Sequence, residues 1–413
     1  MAVQARQTLD AEKLRADFPV FEQLINGKPL AYLDSAATTL RPQAVIDAIS
    51  SFYAQDNANP SGTLHALARR ASAAMEGARS AVASFMGATD PLEVVFTRGT
   101  TEGLNLVANA WGRAHLHPGD EILIGMAEHS SNMLPWRYAA RATGARVVYF
   151  GSDADGHPLL DDISAKLTPR TRIVAFSQVS NVLGMVNPAH EICERVRGPG
   201  RIVVIDGAQS VPHFPVNVRE IGCDFLACSS HKMLGPMGTG VLWGRRELLE
   251  AMDPYQVGSN MAHDVDLESE HLSEGALKFS AGTPNVSGPV GLAAAIACLR
   301  GFGQDAITTH ERQVNRRMME RVAAIRGVSL LGSRDPDRRV SVFSFTVRGR
   351  APIDVVRAMD AEGIAIRAGD LASLPLLRHF GVSAAARASC YLYTSLAEVD
   401  RFADVLERVA AAG

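Results

Sequence analysis

An aspartate and a lysine with complementary chemistry each follow a short apolar run. The runs read VVIDGAQ and FLACSSHK, and they place Asp206 and Lys232 at their carboxyl ends. In parallel α/β sheets, ligands bind at that edge of the sheet. A pyridoxal cofactor needs an amine for its aldehyde and a carboxylate beside its ring nitrogen, and this pair supplies both. Taken singly, the lysine is more typical of a solvated surface charge and the aspartate of a helix cap, so the prediction depends on the residues that accompany them.

A junction of the kind that binds phosphate precedes this pair in the chain. The run GTTEG, residues 99–103, closes the apolar stretch VVFTRG and opens the helical pattern LNLVANAWG. Free backbone N–H groups and the positive end of the helix dipole at such a junction bind phosphate, and Thr101 adds a hydroxyl. The alternative is an ordinary capping box, in which a threonine is followed by Glu102 at the helix start. The sequence alone leaves both interpretations open.

Three more polar side chains fall at the ends of strand candidates. His129 follows EILIGMA, where an imidazole can stack on a cofactor ring and exchange protons, although an isolated histidine there is more often structural. Asn181 in VSNVLG and Gln209 in DGAQ bring amides toward a ring hydroxyl. The glycines after Lys232 allow a tight backbone turn near the cofactor, which is a weak signal by itself.

The elements that position these residues alternate along the chain. Helical patterns such as residues 71–87 separate the strand candidates, which predicts a mostly parallel sheet covered by helices. After about residue 290 the pattern changes. A long helical stretch to about Arg326, followed by further strand and helix patterns, indicates a smaller α+β domain. We therefore predict an N-terminal segment at 1–30, a large domain at 31–290 and a small domain at 291–413. The strand candidates are VVFTRG, EILIGMAEH, RVVYFG, RIVAFSQVSN, RIVVIDGAQ and DFLACSSHK.

Composition argues against several other classes of protein. The 413 residues carry a formal net charge of -3, which gives no reason to expect nucleic acid or an anionic membrane as partner. Residues 1–17 contain no apolar core of a signal peptide, and the longest apolar stretch, 290–299, is too short to span a bilayer. The five cysteines show no CxxC spacing, so we expect reduced thiols in a cytoplasm and no metal site.

Taken in order, the motifs resemble the class V aminotransferases, and within them the Suf-type cysteine desulfurases and selenocysteine lyases. The resemblance implies a pyridoxal-phosphate enzyme of fold type I, with a mostly parallel seven-stranded sheet in the large domain. It runs from about residue 12 to the C-terminus. The motifs that carry it are DSAAT (34–38), RGTTEG (98–103), EH (128–129), SNVLG (180–184), DGAQ (206–209), SSHK (229–232), AGTPN (281–285) and RAS (387–389).

Site roles follow from the resemblance residue by residue. Lys232 would be the Schiff-base lysine, Asp206 would contact the pyridine nitrogen and His129 would stack on the ring. Gln209 and Asn181 would contact the phenolic oxygen and the substrate side of the ring. The implied phosphate ligands are Thr101, Ser229 and His231, with Thr283 supplied by the other subunit of a homodimer, and Thr100 is a further implied cofactor contact. The implied substrate contacts are Ala36, Asn181, Arg367 and Arg387.

Two stretches depart from the family pattern. Residues 367–375 read RAGDLASLP, with Ala372 where Suf-type desulfurases carry their nucleophilic cysteine and with Asp370 and Leu371 in place of two histidines. Alanine cannot attack a substrate sulfur. Residues 59–65 read NPSGTLH, closer to the nitrogen-fixation type of desulfurase. Cys390, near Arg387, is a candidate thiol for the site, although a buried structural cysteine is the more common case.

The sequence therefore predicts a lyase that expels the β-substituent of a cysteine-like amino acid, a small-molecule substrate. Examples are a cysteine conjugate, cysteine sulfinate or selenocysteine, giving alanine or aminoacrylate and then pyruvate. One alternative is an enzyme of specialised metabolism that uses the same cofactor for bond formation or epimerisation. Another is a degenerate desulfurase that acts as a binding partner, which would predict a damaged cofactor site.

Overall fold

The computed structural model describes residues 9–61 and 64–412, and a seven-stranded sheet forms its centre. In chain order the strands are β1 Val94–Thr97, β2 Glu121–Gly125, β3 Arg146–Phe150, β4 Thr171–Ser177, β5 Ile202–Asp206, β6 Phe225–Ser229 and β7 Gly240–Gly244. Their spatial order is β3-β2-β4-β5-β6-β7-β1. Only β7 runs antiparallel to its neighbours, β1 and β6. The predicted mostly parallel sheet of seven strands is confirmed.

The six strand candidates named from the sequence all form strands of this sheet. The seventh strand, β7, was not among them because its sequence GVLWG has glycine at both ends and follows a glycine-rich loop. Central parallel strands are covered on both faces and therefore appear in sequence as continuous apolar runs. All five residues of β2, β5, β6 and β7 are buried.

Helices cover both faces of the sheet. The helix predicted at 71–87 spans Ala66–Phe85, and its apolar stripe buries Met75, Ala78 and Val82. The other helices of this part of the chain include Gln43–Ser51, Thr100–Leu106, Arg113–His115, Leu134–Thr143, Leu160–Lys166, Ala189–Val196, Val218–Ile221, Arg246–Ala251 and Ser287–Phe302.

A second, four-stranded antiparallel sheet follows. Its strands are β8 Val328–Leu330, β9 Val342–Val347, β10 Arg367–Gly369 and β11 Ala385–Ser389, in the spatial order β8-β9-β11-β10. The helices in this part of the chain are Gln304–Ala323, Pro352–Ala361, Leu374–His379 and Leu396–Ala411.

The long helical stretch predicted after residue 290 is two helices rather than one. Ser287–Phe302 and Gln304–Ala323 meet at Gly303, whose φ of +83° favours glycine, and the two axes are bent by 76°. Among the described residues no single helix is long and apolar enough to span a membrane, and this bent pair meets the length and composition test only when taken together.

The segment before the large sheet packs partly on the second sheet. Ala31–Tyr32 pairs in parallel with Ile364–Ala365, and Ala31 and Leu33 join the core that covers the second sheet. An isolated bridge then joins Asp34 to Ser389 at the end of β11. These contacts bring DSAAT to the same place as Arg387. The proposed domain boundaries stay a prediction.

Candidate active site

A cavity of about 450 Å³ lies where the carboxyl ends of the parallel strands meet the second sheet. Its volume is within the range of sites that hold a cofactor and a small substrate. Residues from distant parts of the sequence line it together. They include Ala36, Thr100, Thr101, His129, Asn181, Asp206, Gln209, Ser229, His231, Lys232, Arg367 and Arg387, twelve of the thirteen residues predicted for the site.

Lys232 and Asp206 both face this cavity from neighbouring strands. Asp206 is the last residue of β5, and Lys232 ends the single turn Ser230–Lys232 that follows β6. Burial lowers the pKa of the Lys232 amine to about 8, with Arg387 and Arg367 acting in the same direction and Asp206 opposing them. About a tenth of this amine is therefore uncharged at pH 7, far more than for an ordinary lysine, and the uncharged form is the one that acts as a nucleophile or base.

His129 begins the turn that follows β2. Its Nδ1 accepts a hydrogen bond from the Ser131 backbone N–H at 3.0 Å. Burial lowers the pKa of this imidazole, with Lys232 and Arg387 adding to the effect and Asp206 opposing it. The neutral ring therefore carries its proton on Nε2, the nitrogen that remains available for a ligand.

Thr100 and Ser229 form one end of the cavity. The backbone N–H of Thr100 donates to Ser229 Oγ at 2.8 Å, and the two hydroxyl oxygens lie 2.7 Å apart. Gly99, rather than a threonine, occupies the N-cap position, so the capping-box alternative is wrong. Glu102 instead accepts hydrogen bonds from the backbone and side chain of Arg98.

The backbone around this helix start is unusually close to β7. A Cβ added to Gly240 would lie 2.4 Å from the Cα of Gly99, so a side chain at Gly240 would separate the two segments. Gly99 itself has a φ of +156°. The two glycines therefore allow the helix start to lie against β7 at the end of the cavity that Thr100 and Ser229 form.

His231 and Thr101 complete this end. Burial lowers the pKa of His231 to about 4, with Lys232 and Arg41 adding to the effect, so its ring is neutral at pH 7. Thr101 Oγ1 lies 2.8 Å from Ser131 Oγ. Ser131 also lines the cavity and was not predicted as a site residue, although it lies two residues after the EH motif.

Two arginines meet one carboxylate at the other end of the cavity. Arg367 donates to both oxygens of Asp34 at 3.0–3.2 Å, and Nη2 of Arg387 lies 3.5 Å from Oδ1. Arg387 also donates to the backbone oxygen of Asn181 at 2.9 Å, while its buried Nε has no hydrogen-bond partner among the described residues. Burial lowers the pKa of Arg387 to about 10, so it stays cationic at pH 7.

Both predicted amide side chains line the cavity and are anchored. Gln209 Nε2 donates to the backbone oxygen of Ala36 at 2.7 Å. Asn181 Nδ2 donates to the backbone oxygen of Leu371 at 2.8 Å, and its Oδ1 accepts from Ser373 Oγ at 3.0 Å. The sequence did not indicate this second anchor, because the partners lie about 190 residues away along the chain.

Glu128, directly before His129, is buried behind the cavity. It accepts a hydrogen bond from Asn132 Nδ2 at 2.7 Å and one from Ser177 Oγ at 3.3 Å. Burial raises the pKa of Glu128 to about 8, with the charge of Asp206 contributing, so the carboxyl group is protonated near neutral pH. The sequence motif contains this residue, but its role as a support for the His129 turn was not predicted.

Thr283 and two residues of the NPSGTLH stretch lie elsewhere. Thr283 is outside this cavity and lines a neighbouring one of about 350 Å³ together with Arg98 and Thr239. Neither Asn59 nor His65 of the NPSGTLH stretch is among the cavity residues, and residues 62–63 lie outside the described part of the chain. The assignment of Thr283 to a partner's site stays a prediction.

Comparison with known proteins identifies the family. The family model for aminotransferase class-V proteins matches residues 31–402. The chain belongs to the class V aminotransferase family. The resemblance, the fold type I architecture and the dependence on pyridoxal phosphate predicted from the motifs are thereby confirmed.

Relatives and solved structures agree with this assignment. A probable cysteine desulfurase of Halalkalibacterium halodurans is 42% identical over 400 residues, which are 97% of this chain and 98% of the relative. The crystal structure of the cysteine desulfurase CsdA from Escherichia coli matches with a TM-score of 0.90 and 36% identity, covering 98% and 100% of the two chains. The structure of a cysteine desulfurase from Thermococcus onnurineus matches with a TM-score of 0.92 and 34% identity, and the match covers 100% of both chains.

The cavity of this class V aminotransferase fits pyridoxal phosphate. The hydroxyl groups of Thr100 and Ser229 at the helix start suit the phosphate, and Lys232 and Asp206 suit the aldehyde and the ring nitrogen. The unpartnered Nε of buried Arg387 remains available for a carboxylate. When bound, pyridoxal phosphate supplies the electron sink for a reaction at Cα of an amino acid.

Proposed function

We propose that the protein is a pyridoxal-phosphate-dependent lyase that cleaves the Cβ–S or Cβ–Se bond of a cysteine-like amino acid without using a cysteine persulfide. One observation carries this proposal. The cavity contains the lysine and the aspartate that the cofactor needs, Lys232 and Asp206, but its wall has Ala372 at the position of the nucleophilic cysteine. The relatives described above are cysteine desulfurases, which places carbon–sulfur chemistry first among the activities of this family.

The lining residues support the proton transfers of such a reaction. The Lys232 amine, with its lowered pKa, accepts the proton from Cα of the bound amino acid. The Cβ–S or Cβ–Se bond then breaks with its electron pair passing to sulfur or selenium. The leaving group departs as a thiolate or selenolate anion, and the carbon product is aminoacrylate, which hydrolyses to pyruvate and ammonia. Arg387, oriented by Asp34 and by the backbone of Asn181, holds the substrate carboxylate during these steps.

The positions of the cysteine side chains support a reaction that does not use a thiol. No cysteine is among the described residues that line the cavity. Cys193, on the helix Ala189–Val196, is 1% exposed, and burial raises its pKa to about 12. Cys390 is 0% exposed in the core on the second sheet, and burial raises its pKa as well. A thiol without thiolate character is a poor nucleophile.

The direct test is a single-turnover experiment on the purified holoenzyme. The panel contains cysteine, cysteine sulfinate, selenocysteine and cysteine thioethers, and alanine, pyruvate and released sulfur or selenium are measured beside the cofactor absorbance. We expect product from at least one member of the panel. We expect the same yield after the accessible thiols are blocked with iodoacetamide, and in single serine variants of the buried cysteines. Loss of product on blocking, or its dependence on any cysteine in single serine variants, would exclude the persulfide-free reaction.

The alternatives give different results in the same experiment. A change in cofactor absorbance without any cleaved product favours bond formation or epimerisation. Exchange of the Cα proton for deuterium in heavy water then distinguishes these reactions from simple binding. Failure to bind pyridoxal phosphate favours the degenerate binding partner. The lining residues described above give no support to a damaged cofactor site.

We also propose that the active form is a homodimer in which Thr283 reaches the partner's cofactor site. Support comes from the position of Thr283 in a second cavity beside the phosphate end, lined also by Arg98 and Gly238. Exposed apolar side chains occur in neighbouring segments, including Met237 at 68% and Val257 at 80%. Sedimentation of the holoenzyme is expected to give a dimer, and Thr283→Ala to weaken cofactor binding; a monomer with full cofactor affinity would contradict both statements.

A further inference from the structure

A tight turn forms the part of the cavity wall where the family pattern is broken. In residues 370–373 the Ser373 backbone N–H donates to the Asp370 backbone oxygen at 3.0 Å. Both central residues have left-handed backbone conformations, with φ of +52° at Leu371 and +55° at Ala372. Residues other than glycine adopt this conformation at a cost in free energy, which the surroundings must offset.

The surroundings hold the turn on both sides. The backbone oxygen of Ala372 accepts from the backbone N–H of Ser130 at 2.7 Å and from its hydroxyl at 2.9 Å. Asn181 contacts the turn through Leu371 and Ser373, as described above. The Leu371 side chain is buried in a cluster with Val182, Leu183, Leu331, Leu376 and Leu377. The turn is therefore fixed to the segments that carry His129 and Asn181.

This fixed turn presents one charged side chain to the cavity. Asp370 lines the cavity, and its Oδ1 accepts the Ala372 backbone N–H at 3.0 Å, which orients the carboxylate. The only other carboxylate among the described lining residues is Asp206, at the end of β5. The charge of Asp370 also opposes the lowering of the His129 pKa by burial.

We propose that Asp370 is a specificity-determining residue that selects β-substituents carrying a positive charge or an N–H donor and disfavours anionic ones. The inference rests on the proposed function, since it names the class of substrate within it. An amino acid held at its carboxylate by Arg387 and at its amine beside Lys232 extends its β-substituent toward the remaining wall, which Asp370, Leu371 and Ala372 form in part. A carboxylate there attracts an ammonium or amide N–H and repels a sulfinate or carboxylate.

The substrate class is therefore a cysteine thioether whose side chain ends in an amine or amide. Ala372 contacts its methylene groups, and Asp370 binds its terminal donor. Cysteine sulfinate, with a full negative charge at the β-position, becomes the poorest member of the panel proposed above.

The test measures binding separately from cleavage. The holoenzyme is titrated with S-(2-aminoethyl)cysteine, S-ethylcysteine, S-carboxymethylcysteine and alanine, and Kd is taken from the change in cofactor absorbance. We expect the aminoethyl compound to bind about tenfold more tightly than the carboxymethyl compound, and this preference to shrink as salt is added. Equal affinities of the wild-type protein for the two charged compounds would overturn the proposal.

Two variants assign the preference to this residue. Asp370→Asn removes the charge and keeps an oxygen for the Ala372 N–H, so we expect the preference to be lost while the affinity for alanine is unchanged. Asp335→Asn is the matched control, because Asp335 accepts the Asp337 backbone N–H in the same manner in a turn away from the cavity. If Asp370→Asn still bound the aminoethyl compound more tightly than the carboxymethyl compound, another residue would be responsible for the preference. Selective binding without any product would contradict the lyase and leave the specificity assignment standing.

Discussion

Asp34 forms a two-point ion pair with Arg367, in which Nε and Nη2 of the arginine donate to both carboxylate oxygens at 3.0–3.2 Å. The same carboxylate lies 3.5 Å from Nη2 of Arg387. One acidic residue from the DSAAT motif thus orients both predicted substrate arginines, although more than 330 residues separate it from Arg367.

Replacement of this carboxylate is expected to weaken substrate binding. In Asp34→Asn the two guanidinium groups lose their common anionic partner. Part of the free energy of substrate binding is then used to order them. We expect KM for amino-acid substrates to rise about tenfold with a smaller change in kcat. Glu362→Gln, which removes the half-buried ion pair with Lys28 outside the cavity, is the control and should leave KM unchanged. A fall in kcat alone would contradict this orienting role.

The hydroxyl of Ser229 is expected to contribute to cofactor affinity. Ser229→Ala removes the group that contacts Thr100, so we expect Kd for pyridoxal phosphate to rise about tenfold in an equilibrium dialysis measurement. Ser230→Ala is a close control, because the buried Ser230 hydroxyl has no hydrogen-bond partner among the described residues. Equal effects of the two changes would show that the Ser229 hydroxyl has no special role.

Stability of the cofactor-free protein is expected to depend on pH through Lys232. Its pKa is about 8 in the folded protein against 10.5 for an ordinary lysine, so the unfolded chain binds more protons between these values. The free energy of unfolding therefore rises with pH across that window. At pH 7, Lys232→Met should be more stable than the wild type by on the order of 2 kcal/mol, because it removes the cost of a buried charge.

The comparison is made by urea unfolding at several pH values. The difference between Lys232→Met and the wild type should narrow above pH 8 and nearly vanish by pH 10.5. A difference that stays constant over this range would mean that packing, rather than charge, sets the effect.

The strained turn is expected to tolerate glycine. Ala372→Gly relieves the left-handed conformation at φ +55°, so the free energy of unfolding should rise by about 0.5–1 kcal/mol after the larger chain entropy of glycine is included. Ala368→Gly on β10 is the control, since a strand residue gains nothing from glycine and should be destabilised. The melting temperatures of the two variants are expected to move in opposite directions; destabilisation by Ala372→Gly would refute the strain.

Much of the site was predictable because buried parallel strands and their ends have a strong local signature. Continuous apolar runs indicated six strands, and the polar residues that follow them, such as Asp206, His129 and Lys232, had to meet at one edge of the sheet. The strand β7 and the helix break at Gly303 were missed. Glycines near both positions do not contribute to a periodic pattern of apolar residues, and their conformations depend on neighbouring segments.

The sequence by itself thus determined the cofactor chemistry, since residue type and order along alternating strands are local properties. Tertiary structure alone decided which distant groups act together. It joined Asp34 to Arg367, Asn181 to Ser373 and Ser130 to Ala372, and it placed the Asp370 carboxylate in the cavity wall. Such contacts depend on how the second sheet packs against the first, which no run of neighbouring residues encodes.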